Sequence, residues 1–169
     1  MTDESGGFRA AQERAERLKE RVYITFTALA VVLALRSHGA TAAEAGVTLL
    51  IAVTGTLLAV FVADVVSHIA VHAALPARHE LNRMLRVSFG ALGALVVPFV
   101  FIGLAIADRW PVTTALRAAT IALVTALVVI GYLAVRRVRL PGWQKLVVLF
   151  AEFVLGAAVV GLELLAHGV

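Results

Sequence analysis

Asp64, His68 and His72 follow one another at four-residue spacing within the stretch VFVADVVSHIAVHAALPARHE, Val60 to Glu80. On a helix that spacing stacks a carboxylate and two imidazoles along one face. Such groups are oxygen and nitrogen ligands for divalent transition metals. They also build proton relays: imidazole exchanges protons near neutral pH, and desolvation favours the protonated form of a carboxylate. The surrounding residues are apolar. An ionisable side chain inside a membrane span costs about 2.5–3.5 kcal/mol on insertion scales. A carboxylate kept there points to chemistry or to a buried ion pair.

A second set lies near the C-terminal end. Glu152 and Glu163 are 11 residues apart, which on a helix is about three turns, so they share a face. His167 extends that line by one turn, and Gly156 lies on it and would let another backbone come close. If one apolar stretch ends inside at His72, Asp64 sits ~12 Å from that end. If another starts inside at Trp143, Glu152 sits ~13 Å deep. The carboxylates then match in level. Together, Asp64–His68–His72 and Glu152–Gly156–Glu163–His167 would form a polar track for an ion or proton. A purely structural account stands beside this one. Asp64 would pair with Arg86 or Arg137, His68, His72 and His79 would line an interface, and Glu163 and His167 would lie among headgroups.

The elements that must position these residues follow from composition. The chain has 169 residues, is 61% hydrophobic, and has a mean hydropathy of +0.94. Its apolar residues are gathered into long blocks separated by short basic or Gly/Pro-marked gaps, the pattern of a polytopic helical membrane protein. Five blocks are expected as spans: Val22–Leu35, Gly46–His72, Val87–Ala107, Val112–Val135 and Trp143–Ala166. The first is short, rising only ~21 Å against a ~30 Å hydrocarbon core, so Arg21 and Arg36 must snorkel. Residues 1–21 are polar, with acids and bases at helical spacing, and predict a cytoplasmic surface helix running into the first span. Residues 22–169 then form the membrane domain.

Charge asymmetry orients the set. With the N-terminus inside, 12 of the 15 basic residues fall on inner segments, and only Arg36, Arg109 and Arg117 fall outside. This predicts an all-α, five-span bundle, N-terminus in and C-terminus out. Tyr23, Tyr132 and Trp143 fall at the inner interface and Trp110 at the outer one. The competing parse takes the first block as a cleaved signal peptide, leaving four spans; the five acids ahead of it are unusual for such a segment.

Several function classes are excluded. There is no cysteine, hence no disulfide or thiolate chemistry. The pI near 10.3 reflects membrane orientation rather than nucleic-acid binding. No nucleotide loop, nucleophile elbow or zinc-protease motif is present, and the chain is not expected to be an enzyme. A lipid-modifying activity would have only the His68/His72/His79 cluster to use. The glycines of SFGALGALVVPFVFIGLA, with Pro98, are expected to allow close approach and a kink. Thr113, Thr114, Thr120 and Thr125 are expected to bond back to their own helix. The RRVR run at Arg136–Arg139 favours anionic lipids at the inner face.

The segment RVYITFTALAVVLALRSHGATAAEAGVTLL, followed by an Asp- and His-bearing span, resembles a group of small actinobacterial integral membrane proteins, a likeness that implies no activity. The span count, the orientation and the SFGALGALVVPF segment resemble the vacuolar iron transporter family. That resemblance implies a dimer that exchanges divalent iron or manganese for protons. The chain departs from that family in having VFVADVVSH where the family has a Gly-Glu pair, and in lacking its acidic extension between spans two and three. None of the family's metal ligands carries over.

The expectations are therefore a multi-pass plasma-membrane protein, a homodimer in the bilayer, with no bound cofactor and no nucleic-acid partner. Its function would be that of a small transporter or channel for a divalent cation or protons. The alternative is a non-catalytic membrane scaffold or accessory subunit.

Overall fold

The computed structural model describes residues Thr2–Arg136 and, beyond them, Trp143, Leu146, Val147, Phe150, Val154, Ala157 and Gly161, each of which is helical. Most of the Trp143–Ala166 block, with Glu152, Glu163 and His167, lies outside the described residues. The described fold is all-helical. α1 runs from Thr2 to Ser37, α2 from Ala42 to His72, α3 from Arg78 to Gly90, α4 from Val96 to Ile106 and α5 from Val112 to Arg136. A 3-10 segment, Ala91–Leu95, joins α3 to α4.

α1 is one continuous helix with no break between its polar and apolar halves. It is also the centre of the packing, touching α2, α3, α5 and the 3-10 segment. Ile24, Ala28, Leu29, Val32 and Leu33 are buried along one stripe. They meet Leu116, Ala119, Leu123 and Leu127 of α5 and Ala45, Leu49 and Val53 of α2 in one core cluster. On both partners these residues recur every three or four positions, as a helix stripe requires.

The turns follow from local chemistry. α1 ends at Gly39, whose φ of +64° is left-handed, with the Ala40 N–H donating to the Leu35 carbonyl at 3.2 Å. This is the six-to-one bond of a glycine-terminated helix. Thr41 then caps α2. Its Oγ1 accepts from the Glu44 N–H at 3.3 Å, and the Glu44 carboxylate accepts from the Thr41 N–H at 2.8 Å, the reciprocal capping box. α4 ends with Asp108 at φ +53° and an Arg109 N–H to Leu104 carbonyl bond of 2.9 Å.

The third apolar block, expected as a span Val87–Ala107 with a kink at Pro98, is divided among the end of α3, the 3-10 segment and α4. The helix begins at Arg78, inside what the sequence suggests is a loop, and tightens to 3-10 geometry over Ala91–Leu95. Pro98 supplies the reason. It has no N–H to donate, and its ring conflicts with the carbonyl four residues back, so an α-helix does not pass through it unbroken. Placed in the first turn of α4, where N–H groups have no helical partner anyway, it is tolerated. The glycine expectation also changes. A Cβ added at Gly90, Gly93 or Gly103 would meet nothing within 4 Å, whereas one at Gly46 would lie 3.4 Å from Ile106 and 3.5 Å from Ile102. Close approach therefore belongs to the α2–α4 crossing. Thr120 and Thr125 do bond back, to the Leu116 and Ile121 carbonyls, each at 2.8 Å.

Among the described residues two helices, α2 and Val112–Ala134 within α5, are long and apolar enough to cross a membrane, and Leu92–Ile106 is a shorter apolar stretch. Only 11% of the most apolar α2 window and 28% of that of α5 are buried. The core helix of a soluble domain would show the reverse. Val62, Val66 and Val71 on α2, and Ile121 and Val128 on α5, are well over half or about half exposed.

Candidate functional site

The C-terminal half of α2 carries the candidate groups. The buried stripe Ala45–Leu49–Val53 continues through half-buried Leu57 and Phe61 to Asp64 and His68. Steps of three or four residues keep these positions on the side of α2 that faces the other helices. Asp64 and His68 are half-buried, and His72, one turn further, is exposed. The carboxylate is thus on the side of α2 that is turned toward the bundle.

α2 stops at once after His72. Ala73 adopts the left-handed conformation, φ 50° and ψ 27°, and its N–H donates to the Ile69 carbonyl at 2.8 Å. Pro76 follows, which cannot continue a helix. The chain then folds back into α3, whose first turn is held by Glu80: the Ala77 N–H donates to Glu80 Oε2 at 2.8 Å. This return brings Glu80 Oε2 to 3.5 Å from His68 Nε2. The His68 and His72 rings stack with centroids 4.3 Å apart and planes 20° from parallel. His72 Nδ1 lies 3.2 Å from the His68 carbonyl oxygen. A carbonyl only accepts, so Nδ1 carries the hydrogen and Nε2 of a neutral His72 is left as an acceptor.

The Ala77 N–H bond holds the Glu80 carboxyl below the usual range; partial desolvation opposes this, and the imidazoles of His68, His79 and His72 add to the lowering. Glu80 is therefore anionic at neutral pH. The sequence alone gave it no part in the site, because its place there depends on the left-handed turn at Ala73.

Asp64 has no hydrogen bond or ion pair among the described residues. The proposed partner Arg86 is exposed on α3, and Arg137 lies outside the described residues. The expected metal group, Asp64 with His68 and His72, is not assembled: among the described residues no three His, Asp or Glu side chains are grouped to hold a metal ion. Stacking turns the two imidazoles face to face instead of converging their nitrogens. The other half of the expected track, Glu152, Glu163 and His167, falls outside the described residues.

One acid escaped the sequence reading. Glu20 is 2% exposed, whereas the segment around it looks like solvated surface. The signal was present in the spacing. Glu20 lies one turn below Ile24 and two below Ala28, so it prolongs the buried stripe of α1. Nearby Thr25 is fully buried and donates to the Arg21 carbonyl at 2.6 Å.

No protein-family model matches the chain, and neither a curated protein nor a solved structure shows significant similarity to it.

Proposed function

We propose that the chain is a multi-pass plasma-membrane protein of five spans, N-terminus in and C-terminus out, that acts as a small homodimeric transporter or channel for a cation or for protons. The observation that carries this is Asp64: a carboxylate on the bundle-facing side of the longer of the two helices apolar enough to cross a membrane, with no cation paired to it among the described residues. His68, His72 and Glu80 continue from it to the end of α2 as exchangeable groups within one or two turns of each other. Protons suit this arrangement better than a metal ion. A relay needs groups in sequence, while a metal needs three or more ligands at one point. In the full track Asp64 hands over to Glu152 and then to Glu163 and His167. Exposed apolar faces on α2 and α5 support residence in lipid, as do the exposed aromatic side chains Tyr23, Tyr132, Trp143 and Trp110.

The second reading, a membrane scaffold or accessory subunit, is supported by the fact that, among the described residues, Asp64, His68 and His72 are not grouped to hold a metal ion. The test is flux in proteoliposomes, with a pH-sensitive dye and a panel of divalent cations, for the wild type and Asp64→Asn. Proton flux lost in the variant supports transport. A wild-type protein that is silent for every ion leaves the scaffold.

A further inference from the structure

The segment between α2 and α4 is a helix with two faces. α3 packs against α1, α2 and the 3-10 segment, with Leu81, Met84 and Leu85 half-buried. Arg78, Asn82 and Arg86 are exposed at four-residue spacing, and exposed His79 lies beside them. The one acid of α3, Glu80, is set apart from that line, occupied by the Ala77 N–H and by His68. The exposed face therefore carries cations with no carboxylate among them. Two apolar side chains flank it: Leu75, 79% exposed, just before the helix, and Phe89, 60% exposed, at its end.

We propose that this face of α3 is a docking surface for anionic lipid headgroups, with Arg78 and Arg86 engaging lipid phosphates and Leu75 and Phe89 entering the acyl boundary. The proposal rests on the membrane reading above. Charge complementarity selects an anion. The apolar flanks select a bilayer surface over a free anion, because a soluble phosphate gains nothing from an exposed leucine and phenylalanine. Arg78 and Arg86 are two turns apart, ~12 Å along the axis, which suits separate headgroups better than one ion. The surface adjoins the His68–Glu80 contact, so bound lipid would lie beside the end of the candidate proton path.

The test uses the full chain. Displacement of a fluorescent phosphatidylglycerol from detergent-solubilised protein gives the affinity, and circular dichroism with elution volume checks the fold. Each surface arginine contributes roughly a factor of five to binding an anionic leaflet. Arg78→Gln/Arg86→Gln should therefore bind phosphatidylglycerol about 30-fold more weakly, with phosphatidylcholine binding unchanged. Arg78→Lys/Arg86→Lys should keep the affinity within a few-fold, which separates loss of charge from loss of fold. Unchanged phosphatidylglycerol affinity in the glutamine variant would overturn the proposal. So would inorganic phosphate competing as well as the lipid, or the preference vanishing only when Arg137 and Arg139 are neutralised. Insertion into phosphatidylcholine vesicles without any anionic preference sinks this inference alone; failure to insert into any vesicle sinks the membrane reading itself.

Discussion

His68 Nε2 lies 3.5 Å from Glu80 Oε2, so the end of α2 is joined to the start of α3 through an imidazole and a carboxylate. The contact is an ion pair only when His68 is protonated. Because the same carboxylate caps α3, the link ties the helix that carries Asp64 to the helix that carries the exposed arginines.

The acid dependence of this corner has a definite sign. The folded protein holds Glu80 below its usual value, chiefly through the Ala77 N–H. Its contribution is therefore complete above the unfolded carboxyl value, about 4.3, and is lost as pH falls through the lower folded value. Thermal melts in detergent between pH 3 and pH 6 should show a fall in stability toward acid that is shallower in Glu80→Gln. Equal slopes in the two proteins would show that Glu80 does not contribute.

Asp64→Asn should leave the fold intact, with a melting temperature equal to or above that of the wild type. No ion pair is broken among the described residues, and an amide is cheaper than a carboxylate in an apolar setting. Flux should fall to background. A loss of roughly 3–5 kcal/mol would instead expose a buried cation partner and favour the bracing role.

Among the described residues, Ala73 at φ 50° and Asp108 at φ 53° occupy the left-handed region at helix ends without being glycine. A Cβ there costs about 1–2 kcal/mol, less for aspartate than for alanine. Ala73→Gly should therefore raise stability by about 1 kcal/mol, Asp108→Gly by less, and Gly39→Ala should lower it by a similar amount. Chemical denaturation of each variant measures the order.

Gly46 and Gly55 should respond in opposite ways. Enlarging Gly46 to leucine drives the side chain into Ile102 and Ile106, an overpacking that costs about 1–3 kcal/mol. Gly55 has nothing within 4 Å of an added Cβ. Gly55→Ala should thus gain the helix propensity of alanine, about 0.5–1 kcal/mol. Comparable losses at both sites would refute the α2–α4 crossing.

Orientation can be read with single cysteines, since the chain has none of its own. Ser5→Cys and His79→Cys should react with an impermeant maleimide only after cells are opened, and Arg109→Cys in intact cells. Labelling of residue 79 from outside would invert or cancel the proposed topology.

The apolar helices were legible because hydropathy and end signals coincide there. The expected Gly46–His72 is α2 with four residues added at the capped start, and Val112–Val135 is α5 to within one residue. α3 was not legible by that route. RHELNRML is polar by hydropathy yet made of good helix formers, and hydropathy registers apolarity rather than helicity. At the site, the four-residue spacing correctly placed Asp64 and His68 on one face. The contact with Glu80 was hidden because one left-handed residue, Ala73, decides where the returning chain goes. Glu20 was hidden for a different cause: a charged residue next to Arg21 looks solvated until the stripe above it is known to be the core.

The burial of α1 also constrains how the protein is made. The stripe from Ile24 to Leu33 is completed by residues of α5 that are translated about 80 positions later. At roughly 5–20 residues per second, the first helix waits about 4–16 s before its main partner exists. During that interval its apolar stripe, with Glu20 at the foot, can close only against α2 and the segments that follow it. A nascent chain interrupted before Val112 therefore leaves the α5 side of this stripe uncovered, the kind of exposed apolar surface that chaperones hold.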